Sequence, residues 1–287
     1  MTQQRATIKT ARTIAEVRAL LAAVARPVGL VPTMGALHEG HLSLLRLARA
    51  ANATVVMSLF VNPAQFAAGE DLASYPRDEE RDTRLAGEAG VDVMFAPATA
   101  EMYPEGFATA IEVAGLSEPL EGSARGAAHF RGVATVVAKL LNIVAPDVAY
   151  FGQKDAQQAA VVRRMARDLD VPVAIEVCPT VRAPDGLALS SRNAYLDGED
   201  RARAAGLWRA LSAAAALVEA GERERGVIAA AAQRELAGEG IRADYLAIVD
   251  PDTLVEVTTV AGPVMIAVAA RIGAARLIDN IVASPPA

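Results

Sequence analysis

Short apolar runs alternate with longer amphipathic stretches as far as about Thr180, the pattern of strand–helix–strand crossovers in a parallel sheet. Val28–Thr33 reads as a strand, Gly40–Ala51 as a helix with Leu42, Leu45 and Leu47 on its apolar side, and Thr54–Val61 as a second strand. Arg77–Glu88 follows as a charged helix, with Val91–Ala96 and Thr109–Val113 as strands after it. Arg131–Val144 is a helix stopped before Pro146, Val148–Phe151 a strand, Ala156–Leu169 a helix and Val171–Val177 another strand. The strands are almost continuously hydrophobic, which implies cover on both faces. The expected fold class is α/β, a doubly wound parallel (Rossmann-like) sheet with its ligand at the carboxyl ends of the strands.

The pattern changes after Thr180. A loop, Ala183–Asn193, leads into Ala-rich helical stretches at Glu199–Ala220 and Arg225–Leu236. Strand candidates Tyr245–Val249, Leu254–Thr258 and Val264–Ala269 then follow in close succession. Helices followed by neighbouring strands predict a smaller α+β C-terminal domain with an antiparallel sheet. The expected division is 1–182 and 183–287.

Composition narrows the function classes. Apolar residues make up 53% of the chain and aromatics only 4%, which suits an α/β enzyme packed with aliphatic side chains. A net charge of -6 argues against nucleic acid as a partner, while local cations can still bind small anions. Cys178 is the only cysteine, so no intrachain disulfide forms, and its apolar setting predicts an inert strand residue. Val257–Ala270 is free of charge but is interrupted by Gly262-Pro263 and falls short of the ~20 residues a membrane helix needs. Arg5, Lys9, Arg12 and Arg18 against a single Glu16 faintly suggest an organelle presequence. Thr13 and Glu16, however, form a capping-box pattern on a helix running straight into the first strand, which favours a cytosolic protein.

Two of the three histidines lie in one tetrapeptide, His38-Glu39-Gly40-His41, directly after a predicted strand. Shuffling this composition would produce His-x-Gly-His in only about two chains per thousand. Gly35 permits a tight turn, and Gly40 lets a flat base or a phosphate approach the backbone. The helix opening there offers N–H groups and its positive dipole end to phosphate oxygens, and His38 and His41 add side-chain donors. The competing reading is a pair of zinc ligands, for which no third or fourth ligand is evident.

Other candidates are weaker singly. Phe60–Phe66 closes a strand with a proline turn presenting Asn62 and Gln65, as an ordinary strand exit also would. Phe151–Gln158 ends a strand with Gly152 and then offers Lys154 for a phosphate and Asp155 as a helix cap, or simply a cap beside a solvated lysine. Leu187–Arg192 places two hydroxyls and a guanidinium on a loop that suits a triphosphate clamp or a plain linker. His129 and Arg131 start a helix as two potential cations, and Arg131 and Arg125 face either an anionic substrate or water.

Taken together, PTMGALHEGH, FVNPAQF, YPRD, HFRGVATVVAKL, FGQKDAQQ and DGLALSSRNAYL, in that order from about Ile8 to Asn193, closely resemble the pantothenate synthetases (pantoate–β-alanine ligases). These enzymes are similar to the His-x-Gly-His nucleotidyltransferases and to class I aminoacyl-tRNA synthetases. The C-terminal hundred residues match less distinctively, and Gln153 stands where the family more often has Glu.

The resemblance implies a two-step ligation. Pantoate attacks the α-phosphorus of ATP to give pantoyl adenylate and pyrophosphate, and β-alanine then displaces AMP. It implies that Met34, Gly35, Ala36, Leu37, His38, Glu39, Gly40 and His41 line the ATP site, with His41 as proton donor. Gln65 and Gln158 match pantoate-binding amides, with Gln65 also near β-alanine. Gly152, Gln153, Lys154 and Asp155 match a second ATP segment, Val181 a backbone contact, and Leu189, Ser190, Ser191 and Arg192 a flexible phosphate clamp. His38, His41, Lys154 and Arg192 would carry the catalytic charge. Mg²⁺ is expected with ATP, with Asp82 a candidate for its neighbourhood. The resemblance also implies a homodimer through the N-terminal domain and a lid role for the C-terminal one. The rivals are a nucleotidyltransferase acting on a phosphate ester, a tRNA ligase (disfavoured by the short acidic chain) and a non-catalytic nucleotide sensor.

Overall fold

The computed structural model describes residues 8–66, 72–73 and 75–286, so Arg5 of the basic N-terminal group lies outside the described residues. The described residues form two compact units, one of residues 8–152 with Val161–Cys178, the other of Gln153–Ala160 with the chain from Pro179 onward.

The first unit is built on six parallel strands. They are β1 (Lys9–Ala11), β2 (Val28–Thr33), β3 (Thr54–Leu59), β4 (Val93–Phe95), β5 (Val148–Gly152) and β6 (Ala174–Cys178), in the order β1-β4-β3-β2-β5-β6. The helices are α1 (Ile14–Leu21), α2 (Glu39–Ala51), α3 (Glu79–Ala89), α4 (Thr99–Met102), α5 (Glu121–Arg125), α6 (Ala127–Val144) and α7 (Ala156–Asp168), the last beginning in the second unit's segment. Strand order reverses between β2 and β5, and the carboxyl ends of strands at such a reversal are where open α/β sheets hold ligands.

Period-two alternation divides the strand side chains between the two faces of the sheet. Val31, Val55, Met57 and Met94 pack with Leu44, Leu45 and Ala48 of α2 and Ala86 and Ala89 of α3. Leu30, Val56 and Phe95 have the opposite parity and are also fully buried. The capping box at Thr13 is present, with Glu16 N–H donating to Thr13 Oγ1 at 3.2 Å and the Thr13 N–H donating to the Glu16 carboxylate at 3.0 Å. Leu47 does not join the core and is 45% exposed, because Leu44, Leu45 and Ala48 occupy the i, i+3, i+4 stripe.

The second unit packs α8 (Gly198–Ala204), α9 (Gly206–Glu219) and α10 (Arg225–Gly238) with an antiparallel sheet. That sheet is β7 (Ala243–Val249), β8 (Val264–Ile272) and β9 (Ala275–Ala283), paired in that order. Leu207, Leu211, Ile228, Ile248, Ile266, Val268 and Leu277 are its core. The single helix expected over Glu199–Ala220 is broken at Ala205, where Gly206 lies so close to Glu239 that an added Cβ would sit 2.8 Å from its Cγ.

Two expected strands are absent. Thr109–Val113 forms no ladder, and its residues up to Ala110 are exposed. Leu254–Thr258 makes only a single bridge, Val249 to Glu256, because Leu254 takes a left-handed φ of 58° and Val255 is 64% exposed. Two further strands go beyond the periodicity. β1 is only three residues long, and the Asp279-Asn280 pair interrupts the apolar pattern of β9.

Cys178 ends β6 buried, and its burial, aided by the nearby Glu176 carboxylate, pushes the thiol up to about 11. A thiol in that state is almost entirely protonated at pH 8. Cys178 in the folded chain is expected to react with iodoacetamide at pH 8 at least about 100-fold more slowly than in urea-unfolded chain, where the thiol returns to ~8.5. Mass-spectrometric time courses check this.

Candidate functional site

β2 delivers the chain at Thr33 into the turn Met34–His38, which is built around one carboxylate. Gly35 has φ 87° and Ala36 φ 51°, so the backbone takes two successive left-handed steps. Asp82 of α3, 1% exposed, accepts the Ala36 N–H at 2.8 Å and the Leu37 N–H at 2.9 Å. The neighbouring Arg81 donates to the Leu37 carbonyl at 3.0 Å and lies 3.5 Å from Asp82. Asp82 therefore grips the motif turn with both oxygens, where the sequence suggested a place near a metal. Among the described residues no group of three His, Cys, Asp or Glu could hold a metal ion.

His38 is the N-cap of α2. Its Nδ1 accepts the Gly40 N–H at 3.1 Å, and His41 Nδ1 accepts the His38 N–H at 3.4 Å. The ring centroids are 4.1 Å apart. A neutral imidazole whose Nδ1 accepts carries its proton on Nε2, so both rings become Nε2–H donors. The expected role of Gly40 changes, since a Cβ there would lie 2.8 Å from the His38 ring and the glycine makes room for that ring. The first-turn amides are also less open than expected. The Gly40 N–H goes to His38, and the His41 N–H donates to the His38 carbonyl at 2.8 Å. Leu37 is a core residue and Glu39 pairs with Arg46 on the helix surface, so neither side chain is directed to a ligand.

β3 leads into a turn at Pro63–Gln65. Gln65 Oε1 accepts from Asn62 Nδ2 at 3.1 Å, and Gln65 Nε2 donates to Met34 Sδ at 3.1 Å. Asn62, itself buried, also donates to the Gly132 carbonyl at 3.1 Å and accepts the Tyr103 hydroxyl at 2.7 Å. Burial pushes the Tyr103 phenol up to about 12, which keeps it a donor. Arg125 donates to His129 Nε2 at 3.1 Å, so His129 Nδ1–H donates to the Gln65 carbonyl at 2.8 Å. Gly132 allows α6 to touch this turn, because a Cβ would lie 2.2 Å from the Ala64 carbonyl oxygen. Sequence reasoning offers Asn62 only as a weak candidate and His129 only as a potential cation, and it misses Tyr103 altogether. Arg131, also considered for an anion, is exposed.

The remaining candidates, apart from Gly152 at the end of β5, belong to the second unit. Gln153–Asp155 forms a short turn in which the largely buried Lys154 ammonium lies 3.7 Å from Asp155. Gln158, in the first turns of α7, is half-buried. Val181 and Leu189 face each other across a hairpin, with the Leu189 N–H donating to the Val181 carbonyl at 3.0 Å. Ser190 caps the turn Ser191–Tyr195, its Oγ accepting the Arg192 N–H at 3.3 Å. The structure thus brings the turn residues, both histidines and Gln65 together in one unit, and the Lys154 segment and the clamp residues in the other.

Replacing Asp82 with Ala strips a buried amide and a part-buried one of their acceptor, at ~1–3 kcal/mol for the buried one and less for the other. Asp82→Ala is expected to lower the unfolding free energy by roughly 2–4 kcal/mol in urea titrations.

The family model for pantoate–β-alanine ligase matches residues 9–282. The pantothenate synthetase of Moorella thermoacetica is 56% identical over 275 residues, covering 94% of this chain and 97% of that protein. The Roseiflexus sp. pantothenate synthetase is 54% identical over 271 residues, with 94% and 97% covered. The crystal structure of the Thermus thermophilus pantothenate synthetase superposes with a TM-score of 0.90 at 50% identity, over 96% of this chain and 99% of that one. The Francisella tularensis ligase, solved with β,γ-ATP and β-alanine, superposes at 0.79 and 32% identity, over 96% and 97%. The chain belongs to the pantoate–β-alanine ligase family.

Proposed function

We infer that this chain joins pantoate to β-alanine in an ATP-dependent, AMP-forming ligation. The observation that carries the reading is the His38–His41 turn at the end of β2, where each imidazole accepts a backbone N–H at Nδ1. The likeness to a ligase solved with a nucleotide and β-alanine supports the same substrates here.

The chemistry needs two steps because a carboxylate is a poor acyl donor. A pantoate carboxylate oxygen attacks the α-phosphorus, the bond to the bridging oxygen breaks, and pyrophosphate departs with the electron pair. The β-alanine amine then attacks the acyl carbon, the carbon–oxygen bond to AMP breaks, and the amine sheds a proton. Holding carboxylate and phosphorus in line can remove up to ~7–11 kcal/mol of barrier. His38 and His41 donate to phosphate oxygens as charge builds, with His41 the proton donor. Lys154 and Arg192, with Ser190 and Ser191, neutralise the leaving pyrophosphate. Met34 to Ala36, Gly152, Gln153, Asp155, Val181 and Leu189 complete the ATP site, while Leu37, Glu39 and Gly40 shape the turn and helix start that present His38 and His41. Gln65 and Gln158 hold pantoate, and the Asn62–Tyr103–His129 network fixes where Gln65 presents its amide.

Mg²⁺ would accompany ATP as its counter-ion and would supply positive charge to the phosphates. Asp82 is assigned to the turn, since both its oxygens accept amides. We propose 1–182 as the ATP- and pantoate-binding domain and 183–287 as the lid that protects the adenylate from water. The Gln153–Ala160 segment, which carries Lys154 and Gln158, groups with the second unit. No helix among the described residues is long and apolar enough to cross a membrane, and we place the enzyme in the cytosol. We also propose a homodimer through the N-terminal domain.

Labelled pyrophosphate should exchange into ATP when pantoate is present and β-alanine is absent, while AMP release should need both. Exchange without pantoate, or none with it, overturns the reading. His41→Ala and Lys154→Ala are each expected to slow pantoate-dependent pyrophosphate release by at least ~100-fold, the scale of losing one preorganised donor. A near-normal rate from either folded variant removes its assigned role. Sedimentation equilibrium should give twice the 29.9 kDa chain mass, and a monomer at micromolar concentration contradicts the dimer.

A further inference from the structure

Strand β9 carries two adjacent polar residues, Asp279 and Asn280, that are 3% and 4% exposed. Successive residues of a strand face opposite sides of the sheet. Asp279 shares parity with Ala275, Leu277 and Ala283 of the core, and Asn280 faces the other way. Each holds a different segment of the second unit.

Asn280 Nδ2 donates to the carbonyls of Gln153 at 2.9 Å and Lys154 at 3.0 Å, and its Oδ1 accepts from Gln153 Nε2 at 2.8 Å. One amide therefore fixes the turn that carries Lys154. Asp279 accepts both guanidinium nitrogens of Arg182, at 2.6 and 3.0 Å, and its Oδ1 also accepts the Asn280 N–H at 2.8 Å. Arg182 donates in turn to the Gly186 carbonyl at 3.0 Å and stacks on Trp208, its Cζ 3.7 Å from the ring centre. A Cβ on Gly186 would lie 1.9 Å from Trp208 Cδ1, so the hairpin from Val181 to Leu189 is pressed onto that ring. The same hairpin leads directly into Ser190, Ser191 and Arg192.

A nearly buried ion pair seldom adds more stability than well-packed apolar residues would, whereas it does fix orientation. Here two consecutive residues tie the lysine turn and the clamp hairpin to one piece of backbone. The distance between the two segments is thus set by the thickness of β9. We propose that Asp279 and Asn280 are positioning residues for the nucleotide phosphates, holding Lys154 and the Ser190–Arg192 clamp in register with each other. The proposal rests on the assignment of Lys154 and the clamp to ATP.

The test is steady-state kinetics of Asn280→Asp, Asn280→Ala and Asp279→Asn, with rates referred to active sites counted by an adenylate burst. Asn280→Asp keeps the shape but turns an oxygen toward two carbonyls. A displacement of about 1 Å costs on the order of 100-fold. The expected result is a fall of about that size in kcat/KM for ATP, with KM for ATP raised about tenfold or more and KM for pantoate within about twofold of the parent. Asp279→Asn gives an independent answer should the Asn280 variants fail to fold. A loss confined to the active fraction, with KM for ATP unchanged, would mean a merely structural role and overturn the proposal. If Lys154→Ala is crippled while these variants bind ATP normally, the positioning role falls and the site assignment stands. If Lys154→Ala is itself near normal, the site assignment falls.

Discussion

Between Gly35 and His38 the backbone makes two consecutive left-handed steps, and the carboxylate of Asp82 receives the amides that those steps expose. Left-handed geometry at Ala36 is unfavourable for a residue with a Cβ, so it persists only where its surroundings fix it. Asp82 and Arg81 meet the Leu37 peptide from its two ends, N–H and carbonyl. Gly35 is required by the same contact, since a Cβ there would lie 2.9 Å from the Asp82 carboxylate. The position of His38, and through it the cap of α2, follows from this one buried side chain.

The same design recurs around Gln65. It sits on a short turn, yet it is held by Asn62 at the start of that turn, by His129 of α6 and, through Asn62, by Tyr103 in the segment after α4. The residues assigned to substrate lie on turns, while those that fix them are buried polar groups on neighbouring elements. Fully satisfied polar networks in a low dielectric are costly to break and so impose one geometry. Catalysis by preorganised donors needs that rigidity, because donors that must reorient during reaction lose most of their advantage.

The first unit is largely legible from periodicity. β2, β3, β5 and the helices between them follow from uninterrupted aliphatic runs and amphipathic stretches, and α1 from the cap at Thr13. Periodicity misleads where local propensity lacks a partner, or where a partner supplies what propensity lacks. Thr109–Val113 has β-branched residues but pairs with no strand among the described residues, whereas Lys9–Ala11 has little propensity and pairs with β4. β9 is hidden by Asp279-Asn280, whose burial is compensated by residues distant in sequence. The motif residues are legible as candidates, but not how they are held. Asp82 lies 46 residues from Ala36, and its role depends on α3 docking beside α2, which local spacing does not encode.

The account's central claim is that the turn before α2 is built before nucleotide arrives. Hydrogen exchange read by mass spectrometry on peptides spanning Thr33–His38 tests it most directly, with and without ATP. The account predicts that the Ala36 and Leu37 amides are already strongly protected in the ligand-free protein and gain little when ATP is added. Rapid exchange without nucleotide, with protection appearing only on ATP binding, would contradict it.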